Sequence, residues 1–301
     1  MEERNHLAPL NKLLYQKHFF FVLCFLVISI LGAFCLRGDT AEELPKWVER
    51  LEYSLQLESG KKPTFYFQTV QPLYQSDDKL HTYYIQPRVS IYNERTTSNL
   101  GFGYRRLTSE NLILGINVFA DYQDLNRHGR AGAGFEALGQ VLELRLNSYF
   151  GGITPKRTVE QSGNATTIEK VADGIDYELG APLPYLPWLK LYGSGFWYDF
   201  ENFGDKVGWK SRLEATLNKY VKAEFYTWDD NKGEQEFGGR LRFNIAFNTF
   251  GDILKTFHFS EESFPHKDLS EQLLIPVERD FNITVEKHTE SGGFVVEAGR
   301  L

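Results

Sequence analysis

The stretch RLRFNIAF, residues 240–247, decides the fold. Leu241, Phe243, Ile245 and Phe247 alternate with Arg240, Arg242, Asn244 and Ala246. A period of two belongs to a strand, because successive side chains leave opposite faces. One face is greasy and the other carries two cations. The pattern recurs upstream. Leu142, Leu144 and Leu146 stand against Glu143, Arg145 and Asn147, and Val221, Ala223 and Phe225 against Lys222, Glu224 and Tyr226. Trp209, Leu213, Ala215 and Leu217 face away from Lys210, Arg212, Glu214 and Thr216. In 112–122, Leu112, Leu114, Ile116, Val118 and Tyr122 oppose Gly115, Asn117 and Asp121. No long helical period interrupts residues 51–247.

Alternation fits two architectures. A soluble sandwich buries its apolar face and wets the charged one. A membrane barrel turns the apolar face to lipid and the charged one to its lumen. Segment length favours the barrel. These runs last about 9–12 residues, enough to cross a bilayer at a tilt, where ordinary strands average about 5–6. Aromatics cluster near strand ends (Phe196, Trp197, Tyr198, Phe200; Tyr226, Trp228; Tyr149, Phe150), as interfacial girdles do. Composition agrees, with 24 Phe, 16 Tyr and 26 Gly but one Met in 301 residues. A mean hydropathy of −0.37 excludes a polytopic helical membrane protein but not a barrel, whose two faces cancel. The net charge of −7, with no basic block, argues against nucleic acid as a partner.

The N-terminus reads as an export signal over residues 1–41. Phe19 to Phe34 is free of charge, preceded by Lys12 and Lys17 and followed by Arg37. It is short of the roughly 20 residues of a spanning helix and suits a signal's apolar region. Cleavage is expected after Cys35 or Ala41. Arg37-Gly38-Asp39 then falls at the processing site as a chance match to an integrin-type tripeptide. Cys24 and Cys35 are the only cysteines, so a cleaved chain has none. That excludes disulfide frameworks, thiolate metal sites and cysteine nucleophiles.

Residues 42–50 form a short lead-in, and 51–247 divide into twelve segments. These lie near 51–58, 63–74, 80–92, 98–107, 112–123, 128–138, 141–150, 170–181, 188–199, 207–217, 220–229 and 235–247. The expectation is an all-β, twelve-stranded antiparallel outer-membrane barrel, an even count as bacterial barrels have. With a periplasmic N-terminus, the polar loop 151–169, which lacks periodicity, faces outward. Tight turns such as 137–140 face the periplasm.

The residues carry a family resemblance. NLGFGYRRL (99–107), LILGINVFADYQ (112–123), HGRAGAGFEAL (128–138) and LRLNSYF (144–150) resemble the intimin/invasin inverse autotransporter β-domain. LYQSDD (73–78), GIDYELGAPLPYLPWLKL (174–191) and PVERDFNITVEKH (276–288) add to it, in order, over roughly residues 51–288. The resemblance implies an outer-membrane translocator of type V secretion. Its C-terminal linker threads the lumen and exports an adhesive passenger. Residues 248–301 are then linker or plug, and no passenger is expected within the chain. No peptidoglycan-binding domain fits between residues 42 and 50. Implied partners are outer-membrane lipid, the barrel-assembly machinery, periplasmic chaperones and a host or cell surface met by the loops. A monomer is expected. Glu236, Gly238, Leu241 and Phe243 fit the strand-end signal that the assembly machinery reads.

The chemistry-bearing residues admit a structural reading. Gly101, Gly103, Gly132, Gly134, Gly193 and Gly195 form Gly-x-Gly pairs without the helix start that a phosphate loop needs. They are read as sites of close backbone approach or curvature. Arg105, Asp121, Glu136, Glu143, Arg145, Lys210, Arg212, Glu214, Lys222, Glu224, Arg240 and Arg242 are expected to line the lumen as paired charges. They are spread over many strands and form no poised acid–base pair. No catalytic residue, metal ligand or cofactor is therefore assigned. In the tail, short helices are expected over 250–259 and 268–274, and an extended run over 281–287. A stand-alone pore or surface protein plugged by its tail is the alternative.

Overall fold

The computed structural model describes residues 45–92, 95–244, 257–291 and 294–297. The expected export signal, the tail beyond residue 297, the end of the last segment at 245–247 and most of the expected helix at 250–259 lie outside these residues. So do Cys24 and Cys35.

Among the described residues, seventeen strands form two sheets. The first strands are β1 (Leu51–Glu58), β2 (Thr64–Thr69), β3 (Gln71–Gln75), β4 (His81–Tyr92), β5 (Arg95–Ser109) and β6 (Leu112–Gln123). Next come β7 (His128–Gly139), β8 (Glu143–Phe150), β9 (Arg157–Ser162), β10 (Ala165–Val171) and β11 (Asp173–Leu183). The rest are β12 (Leu186–Asp199), β13 (Lys206–Asn218), β14 (Val221–Asp230), β15 (Glu236–Asn244), β16 (Val285–Ser291) and β17 (Phe294–Glu297). β2 and β3 are two halves of one barrel strand, since both pair with β4 on either side of Val70. With that merger the large sheet has twelve members, each antiparallel to its neighbours. It closes where β1 pairs with β15, with Leu55 opposite Leu241 and Tyr53 opposite Phe243. Closure removes the unpaired edges that hydrocarbon would not tolerate.

The alternation decides between sandwich and membrane barrel. Along β6, Ile116 is 59% and Val118 56% exposed, while Asn117 between them is 4% exposed. Tyr53, Phe65, Tyr83, Phe102, Leu146, Tyr177 and Phe225 are likewise exposed. Arg105, Arg130, Glu136, Arg145, Arg212 and Glu224 are buried. Apolar outside and charged inside is the reverse of a soluble core and the pattern of a lipid-facing wall.

Gly101, Gly103 and Gly195 are the expected sites of close approach, whereas a Cβ at Gly193 would meet nothing within 4 Å. In seven cross-strand pairs an aromatic ring lies over the glycine directly opposite it. These are Gly101–Phe119, Gly103–Tyr84, Gly174–Tyr198, Gly180–Tyr192, Gly195–Tyr177, Gly208–Phe196 and Gly238–Tyr226. A Cβ at Gly103 would overlap the Tyr84 ring. The approach is of ring to backbone, and the ring covers the hydrogen bonds a glycine leaves bare.

The longest loops, 151–172 and 200–205, lie at one end of the barrel, and the turns at the other end (76–80, 110–111, 140–142, 184–185, 219–220) have two to five residues. The expected turn at 137–140 sits slightly later, where Gly139 N–H donates to Leu142 O at 2.8 Å. The loop 151–169, expected to lack periodicity, holds the hairpin β9–β10. Its neighbour is β16, giving the second sheet the order β17-β16-β10-β9. Its own residues show little alternation, and its order comes from a partner more than 100 positions away. In the tail a 3-10 helix spans Leu269–Gln272, inside the expected 268–274, capped by the Asp268 carboxylate. The extended run begins at Val285, later than the expected 281.

Candidate functional site

The barrel's inward face is the site, and residues between 260 and 286 contact its side chains and the connections at either end. They start at the short-turn end. Ser260 N–H donates to Tyr185 O, and Lys267 exchanges hydrogen bonds with Gln140 at 2.9 and 3.1 Å. Leu269 and Leu273 are fully buried against Ile113 and Leu138. One step further, Arg105 donates through Nη1 to Leu273 O at 3.1 Å and Ile275 O at 2.6 Å. Its Nε and Nη2 hold the Glu136 carboxylate at 3.0 and 3.1 Å. The carboxylate thus neutralises a buried guanidinium that grips bare carbonyls of an irregular segment. Val277 N–H donates to Gln86 Oε1 at 2.9 Å. Val277 and Phe281 pack with Val70, Tyr84 and Phe119.

A bidentate contact follows nearer the long-loop end, two residues from the end of β6. Arg279 donates to Asp121 bidentately, Nη1 to Oδ1 at 3.0 Å and Nη2 to Oδ2 at 2.9 Å. Asp121 also accepts from Arg130 Nε at 2.9 Å and Asn99 Nδ2 at 2.8 Å. Arg279 is 1% exposed in its side chain and lies 4.4 Å from the Phe119 ring centre. Gly132 makes room, since a Cβ there would stand 2.6 Å from Arg279 Nη2. Arg130 Nη2 donates to Asp280 O at 2.6 Å, and Tyr198 Oη donates to Asp280 Oδ2 at 2.6 Å. Tyr149 Oη accepts from Asp280 N–H and donates to Asp176. At the long-loop end, Ala172 N–H donates to Thr284 O, and Glu286 accepts from Glu201 N–H and Asn202 N–H.

A second chain of charges crosses the wall. Glu143 meets Arg145 at 2.9 Å and Lys190 at 2.6 Å. Arg145 and Arg212 share Glu178 at 3.0 and 2.8 Å, and Arg212 reaches Glu214 at 3.0 Å. Lys222 holds Glu214 at 3.2 Å. Arg242 donates to Glu214 and, at 2.6 Å, to Glu278 of the tail, and stands in an ion pair 2.6 Å from Glu224. Arg240 stands 3.6 Å from Glu224, and Lys210 lies over the Tyr226 ring at 4.4 Å. Glu214, Glu224 and Glu278 bring carboxylate oxygens within 4.8 Å of one another. Arg212, Lys222, Arg240 and Arg242 surround these three carboxylates, so the cluster is an ion-pair hub.

Glu236 meets Lys61 at 2.9 Å where β15 begins. Gly238 seats Tyr226, Leu241 faces outward, and Phe243 stacks on Tyr53 at 5.2 Å between ring centres, at the closing seam. Sequence reasoning missed Arg88, Arg130, Glu178, Glu278 and Arg279. Arg130 was within reach, because it shares Glu136's face at even spacing. Glu278 and Arg279 lie where no period points. A cavity of about 300 Å³ remains beside residues 278–285, lined by Arg88, Lys210 and Arg240 among others.

Comparison with known proteins places this geometry. The family model described as "Inverse autotransporter, beta-domain" matches residues 36–221. An attaching and effacing protein homolog of Escherichia coli (strain K12) is 29% identical over 137 residues, covering 46% of this chain and 43% of that protein. The inverse autotransporter adhesin YeeJ of the same strain is 33% identical over 156 residues, covering 52% of this chain and 6% of that protein. The chain therefore spans less than half the length of these relatives. In solved structures, a protein studied for the mechanism of in-meso crystallization of membrane proteins superposes with a TM-score of 0.62 at 18% identity. That match covers 79% of this chain and 99% of the other.

Proposed function

Since the chain belongs to the inverse autotransporter β-domain family, an outer-membrane translocator barrel, we propose that it holds residues 257–291 as an outgoing linker and serves the display of an adhesin. What supports the reading is the buried Arg279–Asp121 pair, one of a row of contacts running from the short-turn end to the long-loop end. A chain that merely hung from the last strand would have no reason to bring a buried arginine to a buried aspartate. The direction is outward if the long loops face the medium, as outer-membrane barrels have it.

The mechanism needs no reaction. The lipid-facing wall anchors the barrel by apolar burial, and its closed ladder satisfies every strand. Arg105, Arg130 and Asn99 supply donors to linker carbonyls that no strand pairs, so irregular backbone crosses the membrane inside protein. Glu136 and Glu143 are held by Arg105 and by Arg145 with Lys190. Assembly-machinery docking of Glu236, Gly238, Leu241 and Phe243, chaperone escort and a monomeric state belong to the same proposal.

The test is epitope accessibility on intact cells, with one tag after Leu301 and one within residues 151–169. Exposure of both is expected. A surface-exposed loop tag with a hidden C-terminal tag would overturn export and favour a barrel plugged by its tail.

A further inference from the structure

We propose that the sheet β17-β16-β10-β9 is a shear clasp that holds the outgoing chain against pulling from outside the cell. The inference rests on the linker reading and adds a mechanical function to it.

The clasp is built from strand addition, where main-chain bonds give the grip. β10 pairs with β16 over seven positions, from Val171–Val285 beside the barrel to Ala165–Ser291 at the far end. Side chains reinforce it. Thr167 and Thr289 hydroxyls lie 2.9 Å apart, and Val171, Ile283 and Val285 form a buried cluster at its base. The clasp is also rooted. β10 runs into β11 of the wall within two residues, and Gly151 N–H donates to Asp173 Oδ1 at 2.6 Å. Thr154 bonds both Gly129 N–H and Gly129 O at 2.7 Å.

The direction of load follows from the register. Tension on the chain beyond Ser291 pulls β16 at its far end. β10 is held at the opposite end, near Val171. The two strands are then loaded in shear, and all their cross-strand bonds, which lie perpendicular to the strands, resist together. β17 behaves differently. It folds back so that Glu297 lies opposite His288, and a pull from its end peels its four pairs one after another. The clasp therefore yields in two stages, a weak peel and then a strong rupture.

Single-molecule pulling tests this, using the full chain in lipid vesicles with a handle after Leu301. A low-force peel followed by one high-force event is expected. Thr167→Pro removes a donor and distorts β10 outside the barrel. It should lower the second event severalfold in lifetime at fixed force and leave the peel unchanged. Forced rupture reads the unfolding rate, so lifetime is the right quantity. A Thr167→Cys/Thr289→Cys pair, with Cys24→Ser and Cys35→Ser, should cross-link on oxidation and abolish the second event until reduced. An unaltered second event in Thr167→Pro, with heat-modifiable migration showing a folded barrel, overturns the clasp. So does a cysteine pair that never cross-links. The tag after Leu301 separates the two levels. If antibody cannot reach it on intact cells, the linker reading itself fails. If antibody reaches it and the rupture ignores both variants, only the clasp fails.

Discussion

Arg279→Met removes the guanidinium that joins the tail to Asp121 and keeps most of its length. Taking one partner from a buried ion pair costs about 3–5 kcal/mol. Here Asp121 keeps Arg130 Nε at 2.9 Å and Asn99 Nδ2 at 2.8 Å, so the carboxylate is not orphaned. The lower end applies, about 3 kcal/mol, and about 1.4 kcal/mol per tenfold makes that roughly a 100-fold rise in the undocked fraction. The assay is amide hydrogen exchange by mass spectrometry on the barrel in lipid nanodiscs. The amides to follow are Val277, which donates to Gln86, and Asp280, which donates to Tyr149. Their exchange should accelerate about 100-fold while β6 and β7 stay protected. Arg279→Lys keeps the charge and loses the fork, so it should fall between. Gly132→Ala reaches the same pair from the wall, pressing a methyl to 2.6 Å from Nη2, and should shift exchange the same way. Exchange within about threefold of the native chain in Arg279→Met would refute a tail held at this pair.

Three further outcomes are expected. Leu273→Ala should cost about 2–5 kcal/mol of tail docking, read as faster exchange over 269–275, with barrel migration on gels unchanged, because Leu273 is fully buried on the tail's side of the contact. Gly103→Ala should destabilise the barrel by about 1–3 kcal/mol, lowering the temperature at which its compact gel form is lost, since the Tyr84 ring it would strike is fully buried. Acidification should loosen the long-loop end. Hydrogen bonds from Lys170 and Lys156 pull the exposed Glu201 carboxyl down to about 2. Burial raises Glu169, but hydrogen bonds from His128 and Asn126 and the Arg95 charge outweigh it, leaving it below its usual value. A depressed carboxylate stabilises fully above its unfolded value of about 4.3 and loses that contribution as pH falls through the folded value. Protease resistance of 151–172 should thus hold near pH 6 and decline from about pH 4 toward 2. A decline that begins above pH 6 on acidification would contradict the assignment to these carboxylates, and one that appears as pH rises would contradict the sign.

The barrel strands were legible because each meets two media. Lipid on one side and buried charge on the other write a period of two into residues such as Ile116, Asn117 and Val118. Strand ends agreed within a few residues, as for β4, β6 and β12, because turn residues mark them. The tail was not legible, because its partners are single side chains on many strands. Nothing within PVERDF tells that Arg279 meets Asp121, 158 positions earlier. The hairpin β9–β10 escaped for a related reason: its order depends on β16. The glycines were seen and half understood. Their spacing gave close approach, but the approaching ring belongs to the next strand.

The glycine–aromatic pairs bear on how such a wall can change over evolutionary time. At Gly103 a larger residue is blocked while Tyr84 stands, and losing Tyr84 first uncovers a bare strand. Neither single step is neutral, so the two positions should drift together or not at all. The same holds at Gly174 with Tyr198, Gly180 with Tyr192 and Gly238 with Tyr226. Related barrels should therefore carry paired exchanges at these cross-strand positions, while outward residues such as Ile116 and Val118 vary freely among apolar types.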